Sequence, residues 1–259
     1  MLEQIKKTLP IYITPSQSFW RALELRKLEE IRDERGFFQP ILEIGCGSGK
    51  FARLLFESID LGIDSNPNAI RRCEGIQPFY RKVRVMDARS MPLRHGTYRT
   101  VFANCVLEHI PGVESVLSQA ASVLMKNGIF VATVPLINMN SNLALRGRRY
   151  AHLRRKQLEH HNLFSQEEWK EKLVEAGFAQ VSFYPYLSGR HCRIWDLMDA
   201  VAMIGYRKYS FGGAFGLSWK FLPDFVKSYY INGLSKLLSR IETGQDHNPC
   251  AVVFVARPQ

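Results

Sequence analysis

Apolar residues along this chain recur with two periods, and the periods alternate. Across 16–35, Trp20, Leu23, Leu28 and Ile31 share one broad face of a helix, which Gly36 ends. After Pro40, the unbroken apolar run ILEI (41–44) leads into a glycine cluster, the pattern of a buried parallel strand feeding a turn. The spacing predicts a helix over 51–59 and a strand over 61–65 that ends in an acid. A short helix over 66–75 carries Pro67 in its first turn. Strands follow at 83–88 and 100–106, then a helix at 113–126 closed by Asn127-Gly128, then a strand at 128–135. Strand and helix exchange every 20–25 residues, which argues for a doubly wound α/β sheet with right-handed crossovers.

Beyond 136 the rhythm breaks. Residues 138–161 are polar and basic. SQEEWKEKLVEAGF (165–178) reads as a helix with a capping box, Ser165 at the N-cap and Glu168 three residues on, and Gly177 past its end. Strands are expected at 180–187 and 250–258, with about sixty aromatic-rich residues between them. The chain therefore divides into an N-terminal helical segment (1–36) and a core (37–187) with a basic lid at about 138–161. A helical cap (188–249) and a last core strand (250–259) complete it.

Composition narrows the class. At 46% apolar and 23% charged, the 259 residues suit a soluble globular protein. The net charge of +11 is uneven: 18 basic and 14 acidic groups lie in 1–135, but 17 and 10 in 136–259. The later half is the better face for an anionic partner. Five scattered cysteines without a CxxC pair fit neither a disulfide framework nor a structural zinc site, and point to a reducing cytoplasm. No secretory leader is expected from the first fifteen residues, and no run of apolar residues is long enough to span a bilayer.

The chemistry concentrates in ILEIGCGSGKF (41–51). Gly45, Gly47 and Gly49 between a strand and a helix let a ligand lie against backbone and helix N-terminus. Lys50 stands where a dinucleotide fingerprint needs glycine, and the P-loop spacing is absent. Glu43 puts a carboxylate at the strand's edge, which suits a cationic ligand group. Asp64, 19 residues after Gly45, can take both hydroxyls of a ribose, and Asp87 can accept from an adenine amino group. Taken singly, each acid also reads as a cap or turn residue, and the glycines as a crossover turn.

E-I-G-C-G-S-G, G-I-D-S-N, V-M-D-A and the stretch 101–135 together resemble the class I S-adenosylmethionine-dependent methyltransferases, in the broad group acting on small molecules, quinones and lipids. The resemblance spans about 40–135 and resumes at 160–178. It implies a Rossmann-like, seven-stranded, mostly parallel sheet, here with a helical insertion before the last strand, and S-adenosylmethionine as cofactor. It assigns Glu43, Gly45, Gly47 and Gly49 to the methionine end, Asp64 with Ser65 to the ribose, and Asp87 with Ala88 to the adenine. The resemblance also implies that Asn104 to His109 border the sulfonium and substrate. A histidine suits removal of the acceptor's proton, so His109, His160 and His161 are the candidate bases. His109 also reads as a packing residue and the other two as surface. No metal is expected, since His191-Cys192 matches no ligand spacing.

Two departures stand out. Arg146, Arg148, Arg149, Arg154, Arg155 and Lys156 form a basic run, either a solvated face or a rim for an anionic group. The cap 188–249 either simply packs on the sheet edge or houses a lipid-like acceptor and leans on an anionic membrane. The expected function is methyl transfer to a small or lipid-like acceptor, chiefly on oxygen, by a cytoplasmic or peripheral membrane protein. A nucleic-acid methyltransferase is the alternative, disfavoured because no RNA-binding module is visible. A non-catalytic cofactor-binding protein is the second, since fold does not fix function.

Overall fold

A computed structural model describes residues 1–74, 78–145, 147–204, 210–241 and 248–258. Seven strands form one sheet: β1 (Ile41–Ile44), β2 (Ile59–Asp64), β3 (Tyr80–Val85), β4 (Tyr98–Asn104), β5 (Leu124–Pro135), β6 (Phe178–Leu187) and β7 (Ala251–Pro258). Their order is β3-β2-β1-β4-β5-β7-β6, parallel throughout except for β7, which runs antiparallel to both neighbours. All four residues of β1 are buried because the strand lies between β2 and β4 and is covered on both faces. The strand order reverses beside β1, so the C-terminal tips of β1, β2 and β4 open a crevice there.

Helices cover both faces. On one side pack α1 (Leu2–Thr8), α2 (Pro15–Arg35), α7 (Gly189–Ala202) and α9 (Asp224–Ser239), around Phe19, Leu25, Trp195 and Leu238. On the other lie α4 (Val113–Val123) and α6 (Gln166–Glu175), around Leu117, Trp169, Phe130 and Phe254. Trp20, Leu23, Leu28 and Ile31 are all buried on α2, and Gly36 ends it at φ 74°, a value favouring glycine. The capping box at Ser165 and Glu168 is present. Short helices α3 (Pro67–Glu74) and α8 (Phe211–Trp219) and the basic helix α5 (Arg148–Gln157) complete the α-helices among the described residues.

Several elements differ from the sequence expectation. The helix expected over 51–59 is a single 3-10 turn, Ala52–Leu54. The Ile59 amide already bonds to Phe79 in the sheet, so too little chain remains for regular turns. β3 enters the ladder at Tyr80 opposite Ile59 and leaves it at Val85, which puts Asp87 and Ala88 in the following loop. Leu124 pairs with Tyr98, so α4 stops at Val123 and Asn127-Gly128 sits at a bulge between Tyr98 and Thr100 pairings instead of capping a helix. The N-terminal helix α1 carried no recognisable signal. In the cap, residues 205–209 and 242–247 lie outside the described residues, as does Arg146 of the basic run.

Candidate active site

The glycine loop leaves β1 with Gly45, Gly47 and Gly49 at φ 70°, 56° and 67°, all in the left-handed region. Gly45 and Cys46 donate backbone N–H bonds to Ile63 O at 2.8 and 2.9 Å. A Cβ on Gly45 would lie 2.3 Å from a Val106 methyl carbon, so the loop closes against β4's exit only with glycine there. Asp64 locks the arrangement: its carboxylate accepts from the Gly47 and Asn66 amides at 2.9 and 2.8 Å.

The result is a cavity of about 410 Å³ at the strand tips, within the roughly 300–1,000 Å³ of small-ligand sites. Of the residues expected to bind cofactor, Gly45, Asp64, Ser65, Asp87 and Ala88 line it. Glu43, Gly47, Gly49 and Asn104 are not on its wall. Glu43 is buried beneath the loop, where the Tyr80 hydroxyl donates to it at 2.5 Å. Burial pushes its carboxyl up to about 8 against the opposing effect of that bond, so it is largely protonated at neutral pH. Asp87 is exposed and chelated by Arg89, whose guanidinium holds the carboxyl below its ordinary value. The loop, the ribose-position acid and the cavity's size fit S-adenosylmethionine; the Arg89 clamp means that an adenine would share Asp87 with it.

A second cavity, of about 270 Å³, adjoins the first. Tyr12, Trp20, Trp195 and Met139 give it apolar walls; Arg21, Glu108, His109, His160 and Asp199 give it charge and polarity. Arg21 reaches from α2 to Glu24 at 2.6 Å and to Asn104 Oδ1 at 2.9 Å, and Asn104 Nδ2 continues to Thr133 at 3.0 Å. Asn104 is thus a strut between α2 and β5. Cys105, the next residue, has φ 46°, and its thiol meets Glu24 at 3.1 Å.

His109 lines both cavities. Its Nδ1 lies 3.1 Å from the Glu159 carbonyl, which can only accept, so Nδ1 donates there and Nε2 is the ring nitrogen left for other partners. Nε2 is 3.8 Å from Glu108 Oε1, and the His160 ring is 5.4 Å away between centroids. Burial, and then His109 and Arg155, push His160 down to about 4, so it is neutral. His161 is exposed and outside this cluster; what it contributes is its amide, which donates to Glu108 O at 2.8 Å.

The two segments are laced together. Asn162 Nδ2 donates to Leu107 O and Ile110 O, both at 2.7 Å, and its amide to Glu108 O. Arg155 donates to the carbonyls of His160 and His161 at 2.9 and 2.8 Å. Sequence reading missed Arg21, Glu24 and Tyr80. Glu108 was included only as part of the stretch 104–109, with no role of its own; Arg21, Glu24 and Tyr80 come from elements whose docking no local pattern specifies. Arg154 is also a correction. It turns inward to Asp196 and Asp199, each at 2.7 Å, and staples α5 to α7, while Arg148 and Arg149 stay exposed.

A family model described as a methyltransferase domain matches residues 17–182, well over half of the chain. An uncharacterised chloroplastic methyltransferase of Arabidopsis thaliana is 26% identical over 122 residues, 40% of this chain. That match spans only 34% of the relative, about a third of its length. Among solved structures, a methyltransferase of Archaeoglobus fulgidus is 22% identical, with a TM-score of 0.53 over 91% of this chain and 94% of that one. A Haemonchus contortus phosphoethanolamine N-methyltransferase, solved with S-adenosylhomocysteine, is 16% identical, with a TM-score of 0.59 over 94% and 58%. A geranyl diphosphate C-methyltransferase of Streptomyces coelicolor is 13% identical, with a TM-score of 0.58 over 90% and 77%. At these identities the structures establish the fold, a Rossmann-like class I sheet. No helix among the described residues is long and apolar enough to cross a membrane.

Proposed function

The chain belongs to the methyltransferase domain family, and on that premise we propose that it transfers a methyl group to a small or lipid-like acceptor held in the 270 Å³ cavity, chiefly on oxygen. S-adenosylmethionine, when bound, supplies a methyl already activated as a sulfonium. The chain's part is to grip that cofactor with the glycine loop and Asp64, to align the acceptor, and to take its proton. Alignment alone can supply roughly 7–11 kcal/mol, and a base another ~10²–10⁴-fold in rate. The observation that carries the reading is His109, which stands on the walls of both cavities with Nδ1 committed to the Glu159 carbonyl and Nε2 left for the acceptor. The test is incubation with methyl-labelled S-adenosylmethionine and separate lipid, polar-metabolite and RNA fractions. Label should enter the lipid or polar-metabolite fraction and fall by at least ~10²-fold with His109→Gln. Label confined to RNA would reverse the choice of acceptor.

The cap supports a lipid source for the acceptor. Leu217, Phe221, Phe225, Tyr229 and Leu237 recur every four residues, but for Gly233, and are between 59% and 86% exposed. On α9 this ridge is opposite Leu234 and Leu238, which pack inward, and Lys220, Lys236 and Arg240 flank it. Beside it, Leu197, Val201, Phe211 and Phe215 line an apolar slot of about 250 Å³. An aromatic ridge set among cations is the chemistry of an anionic bilayer interface. Vesicles of phosphatidylcholine with phosphatidylglycerol should sediment the protein at low salt, and Phe221→Ser with Phe225→Ser should abolish this. No binding by the native chain removes the membrane from the reading.

A further inference from the structure

Glu108, His109 and His160 form a cluster that acid–base chemistry alone does not account for. Each offers a ligand atom, and these atoms all lie within 4.8 Å of one another. Glu108 is buried, its side chain 3% exposed, and Oε2 finds no hydrogen-bond partner. His160 Nδ1 is also buried and unpartnered. Buried polar atoms are almost always satisfied, so two orphans in one cluster on a cavity wall call for a missing partner. Arg21 does not fill that role in the described contacts, being bonded to Glu24 and Asn104.

We propose that Glu108, His109 and His160 bind one divalent transition-metal ion, zinc being the best match, at the seam between the two cavities. One carboxylate with two imidazoles is a donor set for such ions, and three protein ligands leave a position open for an exchangeable one. His109 is already oriented as a ligand: giving Nδ1–H to a backbone carbonyl directs Nε2 inward, as in metal-bound histidines. The bonds from Asn162 and Arg155 to both segments make the support rigid. Ligand bonds of about 2.0–2.2 Å set donor atoms roughly 3.3 Å apart, so the cluster must contract by up to about 1.5 Å. His109, 40% exposed, is free to make most of that movement.

This placement deepens the reading of the second cavity and rests on it for the ion's use. The open position faces the space assigned to the acceptor, so the acceptor class becomes one presenting an oxygen donor, such as a phenol or enol. An oxygen on the ion would lose its proton more readily, the proton passing to bulk water; with the ion bound His109 serves that step as a ligand, and in the stripped chain it takes the proton itself as the base proposed above.

The experiment is titration of chelator-stripped full-length protein with Zn²⁺ by calorimetry and with Co²⁺ by visible absorption. One ion per chain is expected, with affinity reduced more than ~100-fold in Glu108→Gln and in His160→Gln. His152→Gln, an exposed histidine on α5, should bind as the native chain does. S-adenosylhomocysteine affinity, measured on the same variants, should not change and shows that they are folded. Absence of a one-to-one ion, or native binding by both variants, overturns the proposal. Methyl transfer by the stripped enzyme alongside that absence leaves the functional reading intact. An ion bound at these residues without any methyl transfer supports the site and overturns the reading.

Discussion

The two cavities share a histidine but are built in opposite ways. The cofactor crevice comes from segments that follow each other through the first three strands: 44–45, 63–65 and 86–89, with only 106–111 from further along. Each is fixed by its own strand's register, and Asp64 ties one tip to the next through a backbone amide. The second cavity, the one proposed for the acceptor, draws on residues 12–21, 105–109, 135–139, 158–160 and 195–199. Its walls meet only after α2, α5 and α7 have docked, and ion pairs between buried side chains hold them. On the assignment proposed above, the cofactor is met by a local motif and the acceptor by long-range assembly.

The sharpest way to break this comparison is Arg154→Ala. Arg154 joins α5 to Asp196, which is fully buried, and to Asp199, which also accepts from Ser16 on α2. Removing it leaves buried carboxylate charge held only by the Tyr150 hydroxyl and the Ala144 amide, a loss of about 3–5 kcal/mol. Denaturant unfolding should show that loss, and adding Asp196→Asn should recover part of it, because the two residues act as one unit. Affinity for S-adenosylhomocysteine below the unfolding transition should stay within about threefold. A tenfold drop would mean that the two halves are not separately built.

The same contrast explains what the sequence could and could not reveal. The sheet was legible because apolar runs such as ILEI and the turn glycines after them encode strand and loop within a few residues. Asp64 was legible for the same reason. Glu43 was identified as a carboxylate at the right strand edge, but its partner Tyr80 lies two strands away, and only the register Ile59 to Tyr80 brings that ring inward. Arg154 read as one cation in a basic run because nothing local distinguishes it from Arg148 or Arg149. Its inward turn depends on α7, some forty residues on. His160 and His161 were indistinguishable by sequence; the Arg155 and Asn162 bonds decide which ring faces the cavity.

A smaller effect sharpens the comparison from the crevice side. Glu43 faces Tyr80, Cys73 and Asp64, and burial raises its carboxyl from 4.5 to about 8. An acid with a raised folded-state value holds its proton in the native chain while the unfolded chain has released it. Its contribution is therefore complete below pH 4.5 and is lost as pH climbs towards 8. The loss comes to roughly 3 kcal/mol between pH 4.5 and 7. Glu43→Gln keeps an acceptor for the Tyr80 hydroxyl and cannot titrate, so native and variant stabilities, measured by urea unfolding across that range, should diverge with rising pH in favour of the variant. Saturating S-adenosylhomocysteine should narrow the divergence if its ammonium group sits beside Glu43, because a nearby cation favours the ionised carboxylate. Parallel pH curves for the two proteins would show that Glu43 stays ionised in the fold, and the crevice would then rest on a permanent charge instead of a concealed one.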